Sequence, residues 1–215
     1  MSLHSEHSAV VQLLLGGEFI CEVTHEHHYN YLTDSQNLQR VNEFLITLNR
    51  RVRQTSDRKA FLCAYADMDS AEIKQKIRGQ FKEVCTNLEP LVRWLSLAQA
   101  CQPHRDPLRS GDLINEVDLL NAMNSSQTLC DQLDELCRRG VFSSSAAAPK
   151  DKLKQVFKQL VTLGYLKNIG HSGMQYQATA KWSWLYDTMD FIRAHENIEL
   201  EQDERLNATQ PGLLL

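Results

Sequence analysis

The residues best suited to metal chemistry lie in one histidine-rich segment, His25-Glu26-His27-His28. Imidazole nitrogens bind zinc, and motifs of the HExxH type place two histidines four residues apart on one helical face. Adjacent histidines point in different directions on a helix, so at most His25 and His28 share a face here. Cys101 and His104 form a single CxxH pair without further ligands near it. The sequence therefore predicts neither a metal site nor a cofactor.

The sequence does not bring together the groups of a catalytic site. Gly16-Gly17 lacks the GK[ST] that follows the glycines of a phosphate-binding loop, and there is no GxSxG motif. The carboxylates of Asp112, Glu116 and Asp118 lie where the solvent-facing side of a helix would place them. We therefore expect a protein that is not an enzyme and has no catalytic residues. An enzyme whose site is assembled only by folding is the weakest alternative.

Lysines in the last third of the chain are suited to phosphate binding instead. Residues 150–181 contain six lysines and one acidic residue, whereas residues 187–205 contain seven acidic residues and two arginines. The residues that we predict to contact nucleic-acid phosphates are Lys152, Lys154, Lys158 and Lys167. An ordinary solvated surface is the alternative. Because the basic segment has no arginine, we expect any DNA contact to be salt-sensitive and weakly specific.

Bulk properties limit the classes of function further. The 215 residues, 42% of them hydrophobic, suit one large or two small domains. The formal net charge of −4 makes the chain as a whole no obvious binder of polyanions. No apolar run approaches the roughly 20 residues of a membrane span, and the six cysteines have no CxxC spacing, which is typical of reduced, packed thiols. We expect a cytoplasmic protein that makes no contact with a membrane.

Apolar periodicity and turn signals divide the chain into two units with a similar order of elements. The first unit is predicted to contain a helix over 10–15, a strand over 19–21, helices over 24–32 and 33–50, and strands over 52–55 and 60–65. Thr33 has the position of a helix cap in this unit. In the second unit, helices capped by Ser110 and Ser125 precede a third helix at 153–161 and a hairpin split by Gly170-His171-Ser172-Gly173. This order is that of a winged helix.

A long apolar-periodic stretch from Asp69 to about Ala100 joins the units, and Pro90 within it is expected to kink or divide the helix. The predicted fold is mainly α with small β-hairpins (α+β): tandem winged-helix domains joined by a long helix. The expected boundaries are 1–68 for the N-terminal domain, 69–104 for the linker helix, 105–196 for the C-terminal domain and 197–215 for an acidic, disordered tail.

Two tryptophans follow the second hairpin. Trp182 and Trp184 are two residues apart and point to different sides of a helix, so we expect one of them to lie in the core. An exposed tryptophan often anchors a protein interface, and we predict this role for Trp184. The alternative is that both rings pack against the hairpin.

Seven stretches, spread over roughly residues 10–195, carry a resemblance to a known family: Gly17–Ile20, Tyr31–Leu45, Lys59–Tyr65, Leu108–Leu113, Asp151–Leu166, Gly170-His171 and Tyr176–Thr179. In these apolar and glycine positions the chain resembles the MukE and MksE subunits of bacterial condensins, which belong to the tandem winged-helix kleisin-interacting (KITE) group. The resemblance implies a non-catalytic accessory subunit that binds a kleisin, commonly as a homodimer, beside an SMC ATPase.

Such a subunit would be nucleoid-associated and would support chromosome organisation or plasmid defence. A winged-helix DNA-binding transcription regulator is the alternative from a different class.

Overall fold

The computed structural model describes residues 3–102, 107–170 and 173–208. The elements of the N-terminal unit are α1 (Leu3–Leu15), β1 (Ile20–Cys21), α2 (Glu22–Thr33), α3 (Ser35–Ile46), β2 (Arg50–Gln54) and β3 (Ala60–Tyr65). The strands form an antiparallel sheet in the order β1-β3-β2, with Ile20 opposite Phe61. Apolar side chains of the three helices pack on this sheet, and Val10, Leu14 and Val41 are buried. The predicted winged-helix order of this unit is confirmed.

The long helix α4 (Ala71–Cys101) both joins the units and belongs to the second one. It continues through Pro90 without interruption, so the proline does not divide the helix. The buried side chains of α4 lie beyond this proline, at Leu91, Trp94 and Leu97, and they join the core of the C-terminal unit. The second half of α4 therefore serves as the first helix of the second winged helix.

The C-terminal unit repeats the topology of the first. Its remaining elements are β4 (Leu113–Asn115), α5 (Glu116–Asn124), α6 (Gln127–Leu136), a 3₁₀ turn (Gly140–Phe142), α7 (Pro149–Thr162), β5 (Leu166–Asn168), β6 (Gln175–Ala178) and α8 (Lys181–Ala208). The strand order β4-β6-β5 is the same as in the first sheet, with the last strand in the centre. The core contains an aromatic cluster, in which Phe157 stacks on Tyr176 at 4.4 Å and meets Trp94 edge-on at 5.4 Å.

The helix boundaries of the first unit differ from the prediction at both ends of α3. Asp34 caps the helix, because its Oδ1 accepts the N–H groups of Gln36 and Asn37 at 2.9 and 3.0 Å. Thr33 instead donates its hydroxyl to a carbonyl of the preceding helix. The helix ends at Ile46 rather than near residue 50, since Asn49 has a φ of 54° that turns the chain into β2.

In the second unit the prediction of a helix through Leu113 was wrong. Leu113 belongs to a three-residue strand and lies opposite Gln177 of β6. The cap of α5 is Asn115, whose Oδ1 accepts the N–H of Val117 at 2.9 Å, and not Ser110. Ser126 occupies the cap position of α6 in place of Ser125. A strand of three residues is too short for its apolar period to show in the sequence.

At the C-terminus α8 continues through Ala208, and residues 209–215 of the predicted tail lie outside the described residues. His104, the second residue of the CxxH pair, also lies outside them. Among the helices of the described ranges, none is long and apolar enough to cross a membrane.

Candidate protein-binding groove between the two units

Hydrogen bonds connect the turn between β2 and β3 to the start of α8. The buried hydroxyl of Ser183 donates to Oδ2 of Asp57 at 2.6 Å. Ser56 donates its backbone N–H to Asp187 at 2.9 Å and its hydroxyl to the same carboxylate. Burial alone would raise the pKa of Asp57, but hydrogen bonds from Ser183, from the N–H of Lys59 and from a neighbouring threonine lower it. The Asp57 side chain therefore accepts the hydrogen bond from Ser183 as an ionised carboxylate.

Apolar contacts support the same interface. Cys21 and Ala60 of the first sheet form a buried cluster with Ala180, the residue before α8. The rings of Phe19 and Trp184 meet edge-on, with their centroids 5.3 Å apart. Polar and apolar side chains thus both contribute to the packing of one winged helix against the other.

A groove of about 740 Å³ lies beside this interface and is lined by residues of both units. Its apolar residues include Leu15, Phe19, Leu62, Met68, Val84 and Trp184. Three basic residues, Arg50, Arg53 and Lys181, and one acidic residue, Glu83, also line it. A groove with apolar walls and an excess of positive charge suits an extended segment that carries apolar and acidic side chains.

The three basic residues differ in how freely they can meet a ligand. The Arg50 guanidinium lies 3.6 Å from the centre of the Tyr65 ring. Lys181 donates to the Leu163 carbonyl at 2.7 Å, and burial lowers its pKa. Arg53 is exposed on β2. Of the three, Arg53 is best placed to pair with an incoming carboxylate.

Trp184, the residue predicted at a protein interface, is half-buried and packs against Phe19 of the other unit while lining the groove. Trp182 is fully buried in the core of the C-terminal unit. Whether Trp184 also contacts another protein stays a prediction.

The four predicted phosphate-binding lysines occupy different environments. Lys154 and Lys158 are exposed on α7, one helical turn apart. The Lys152 side chain is only 14% exposed, and its Nζ lies 2.6 Å from Asp134. Lys167 donates to the carbonyl of Val23 at 2.7 Å, across the two units. Phosphate binding by all four stays a prediction, and α7 presents two exposed lysines on one face.

Folding also brings together three groups that suit a metal, whereas the local sequence predicted a shared face only for His25 and His28. The ligand atoms of Glu6, His27 and His28 all lie within 4.8 Å of one another. Glu6 is buried on α1, and burial would raise its pKa, but hydrogen bonds from the two histidines lower it. A sequence signal did exist: Glu6 has the same i, i+4 spacing as the apolar residues Val10 and Leu14 on the buried face of α1.

Comparisons with known proteins identify the family. A comparison with curated proteins finds no match. A family model described as condensin complex protein MksE matches residues 5–189, which comprise both winged helices, the long helix between them and the first turns of α8. This range includes every residue that lines the groove. The chain belongs to the MksE family of condensin complex proteins.

Proposed function

We propose that this chain is a non-catalytic accessory subunit of a bacterial SMC complex and that it binds the kleisin of that complex in the groove between its two units. ATP would be hydrolysed by the SMC partner. The observation that supports the proposal most is the groove of about 740 Å³, whose lining combines apolar residues with three basic residues. Family membership provides the condensin context, and the groove provides a surface for one extended chain.

The expected kleisin segment is extended, with apolar residues that meet Phe19, Leu62 and Trp184 and an acidic residue that pairs with Arg53. Apolar anchors in the centre of such a groove supply most of the binding free energy. The exposed charge contributes mainly to the rate of association and to specificity. Binding should therefore weaken moderately in high salt without being abolished.

Co-purification with the kleisin of the same organism's condensin complex tests the proposal directly. We expect a complex at micromolar concentrations, measured by calorimetry with both purified proteins. Arg53→Glu should weaken binding by about tenfold or more, because it replaces attraction with repulsion at the groove. Arg40→Glu is the matched control, since Arg40 is an exposed arginine on α3 that does not line the groove. If no complex forms, the kleisin proposal fails; if both variants bind equally, the groove is not the site.

We also propose auxiliary contacts between DNA phosphates and the basic residues of α7 and the second hairpin. Lys154 and Lys158 support this best because both are exposed and face the same side of α7. Lys152 is largely buried and paired with Asp134, and Lys167 already donates one hydrogen bond to the Val23 carbonyl, so these two support the contact less.

Duplex affinity measured against salt concentration tests the DNA contact. The logarithm of the binding constant falls linearly with the logarithm of the salt concentration, with a slope of about one per neutralised phosphate. In the double variant Lys154→Glu plus Lys158→Glu this slope should become shallower by roughly two, because each of the two lysines would neutralise one phosphate in the wild type. An unchanged affinity and slope would reject this face of α7. Tight, sequence-specific binding without a kleisin would instead favour the alternative, a winged-helix transcription regulator.

We further propose that the chain forms a homodimer and associates with the nucleoid. Light scattering should give a mass of twice 24.7 kDa at micromolar concentrations. The biological role is tested by deleting the gene. A segregation defect indicates chromosome organisation, whereas longer retention of plasmids indicates plasmid defence.

A further inference from the structure

The geometry points to a binding site for a divalent transition-metal ion of the zinc class, formed by Glu6 of α1 together with His27 and His28 of α2. The ion would join the N-terminal helix to the second helix of the first winged helix. This inference is independent of the groove and of the kleisin proposal, because none of the three residues lines the groove.

Both histidines direct the same ring atom at one carboxylate oxygen. The Nδ1 atoms of His27 and His28 lie 2.6 and 2.5 Å from Oε1 of Glu6. The two rings are nearly perpendicular, at 84°, with their centroids 5.8 Å apart. Neighbouring histidines on a helix normally diverge, and they converge here because the buried carboxylate lies between them. Two nitrogens and a carboxylate thus face a common point.

The second carboxylate oxygen of Glu6 has no hydrogen-bond partner among the described residues. The side chain of Glu6 is only 6% exposed, and this oxygen, Oε2, is buried. An unpaired, buried carboxylate oxygen costs free energy, so native proteins usually supply a partner for it. A bound cation would fill this position with Oε2 as its ligand, and the two Nδ1 atoms would exchange their hydrogen bonds to Oε1 for bonds to the ion.

The chemistry of the three groups selects the class of ion. Two imidazole nitrogens and one carboxylate oxygen are the ligands of many zinc sites that keep a fourth position open. Calcium and magnesium prefer oxygen ligands alone, so a set with two nitrogens disfavours them. His27 is 75% exposed, and the solvent side of the site is therefore open to a water molecule as the fourth ligand.

Small adjustments suffice for metal binding. The ligand atoms around a tetrahedral zinc ion are about 3.4 Å apart, as bond lengths near 2.1 Å require. The three ligand atoms already lie within 4.8 Å of one another, so rotations of side chains bring them to this separation. His25, two residues before His27, departs from helical geometry with φ −141° and ψ 61°. It marks a kink in α2 just before the two ligands, and it does not belong to the cluster.

Calorimetric titration of the chelator-treated full chain with ZnCl₂ tests the site. We expect one ion per chain with micromolar or tighter affinity, an increase in the melting temperature, and no response to MgCl₂. Glu6→Gln and His28→Gln should each weaken binding at least about tenfold, since loss even of an outer-shell partner has an effect of that size. Because Glu6 is buried and its substitution can impair folding, the exposed His27→Gln provides an independent test with the same expected loss.

Matched controls exclude adventitious binding by the other thiols and imidazoles of the chain. His7→Gln changes a histidine of α1 whose ring meets Phe44 outside the cluster, and it should leave the affinity unchanged. CoCl₂ should give visible absorption without the near-ultraviolet band of a thiolate–cobalt bond, which separates this site from one formed by the six cysteines. No zinc binding, or equal losses in His7→Gln and His27→Gln, would overturn the inference and leave Glu6 as the centre of a hydrogen-bonded cluster.

Discussion

Replacing Ser183 with alanine tests how strongly the two winged helices are held together. The Ser183 hydroxyl is buried and provides the hydrogen bond to Oδ2 of Asp57 at 2.6 Å. Oδ1 of the same carboxylate accepts bonds from Thr55 and from the N–H of Lys59, within the turn itself. Ser183→Ala therefore removes one hydrogen bond between the units and leaves the bonds within the turn in place.

The expected magnitude follows from the environment of the two partners. A hydrogen bond to an ionised group contributes about 1.5–3 kcal/mol. Asp57 is exposed, however, so that solvent screens its charge and reduces the contribution. We expect Ser183→Ala to lower the free energy of unfolding by about 1 kcal/mol at pH 7.

This loss should depend on pH. Burial acts to raise the pKa of Asp57, but the hydrogen bonds from Ser183, Lys59 and Thr55 outweigh it and keep the pKa below the ordinary value of 3.8. A carboxylate with a lowered folded-state pKa stabilises the protein above the unfolded pKa, and this stabilisation disappears as the pH falls through the folded pKa. The difference between Ser183→Ala and wild type should be complete at neutral pH and shrink below about pH 3.8.

Urea unfolding followed by tryptophan fluorescence measures this difference, because Trp184 lies at the same interface. Ser145→Ala, in the exposed loop before α7, is the control and should stay within about 0.5 kcal/mol of wild type. A loss in Ser183→Ala no larger than in this control, or one that is equal at pH 7 and pH 3.5, would refute the reasoning.

Substitutions at three further positions test a glycine with positive φ, the core of the C-terminal unit and a buried carboxylate. Gly140→Ala should cost about 1–2 kcal/mol in urea unfolding, because Gly140 has a φ of 76° and a Cβ there would lie 3.4 Å from Pro90 Cγ. Phe157→Ala removes a fully buried ring that stacks on Tyr176 and should lower the free energy of unfolding by about 3–5 kcal/mol. Phe157→Leu, which keeps part of the apolar volume, should lower it less, and thermal unfolding of both variants measures the difference. Burial raises the pKa of Glu116, so its charged form costs stability as the pH rises. Glu116→Gln should therefore be at least as stable as wild type at pH 8 and lose its advantage at pH 4; denaturation across this range that gave the reverse order would contradict the expectation.

Periodicity predicted the longer elements well, because helices of ten or more residues repeat their apolar positions several times. The helix with buried Leu153, Val156 and Leu160 is an example, and it lies where the spacing placed it. Short elements and caps were predicted less well. Leu113 looked helical from its neighbours, but pairing with Gln177, which is distant in the sequence, makes it a strand.

The same contrast applies to the functional residues. From local sequence alone, His25 and His28 were the only histidines expected to share a face, whereas folding places Glu6 between His27 and His28. The lysines of α7 were recognised by their charge, but the sequence contained no sign that Asp134 pairs with Lys152. Partners that are far apart along the chain leave no periodic signal, so only packing reveals them.

The sequence by itself determined the order of the elements, the tandem winged-helix class and the resemblance that the family match confirms. These properties follow from local apolar spacing and turn chemistry, which act within about twenty residues. The tertiary structure alone decided how the units meet, where the groove lies, and which residues gather around Glu6. Each of these depends on contacts such as that of Asp57 with Ser183, 126 residues apart, which arise only when both cores have formed.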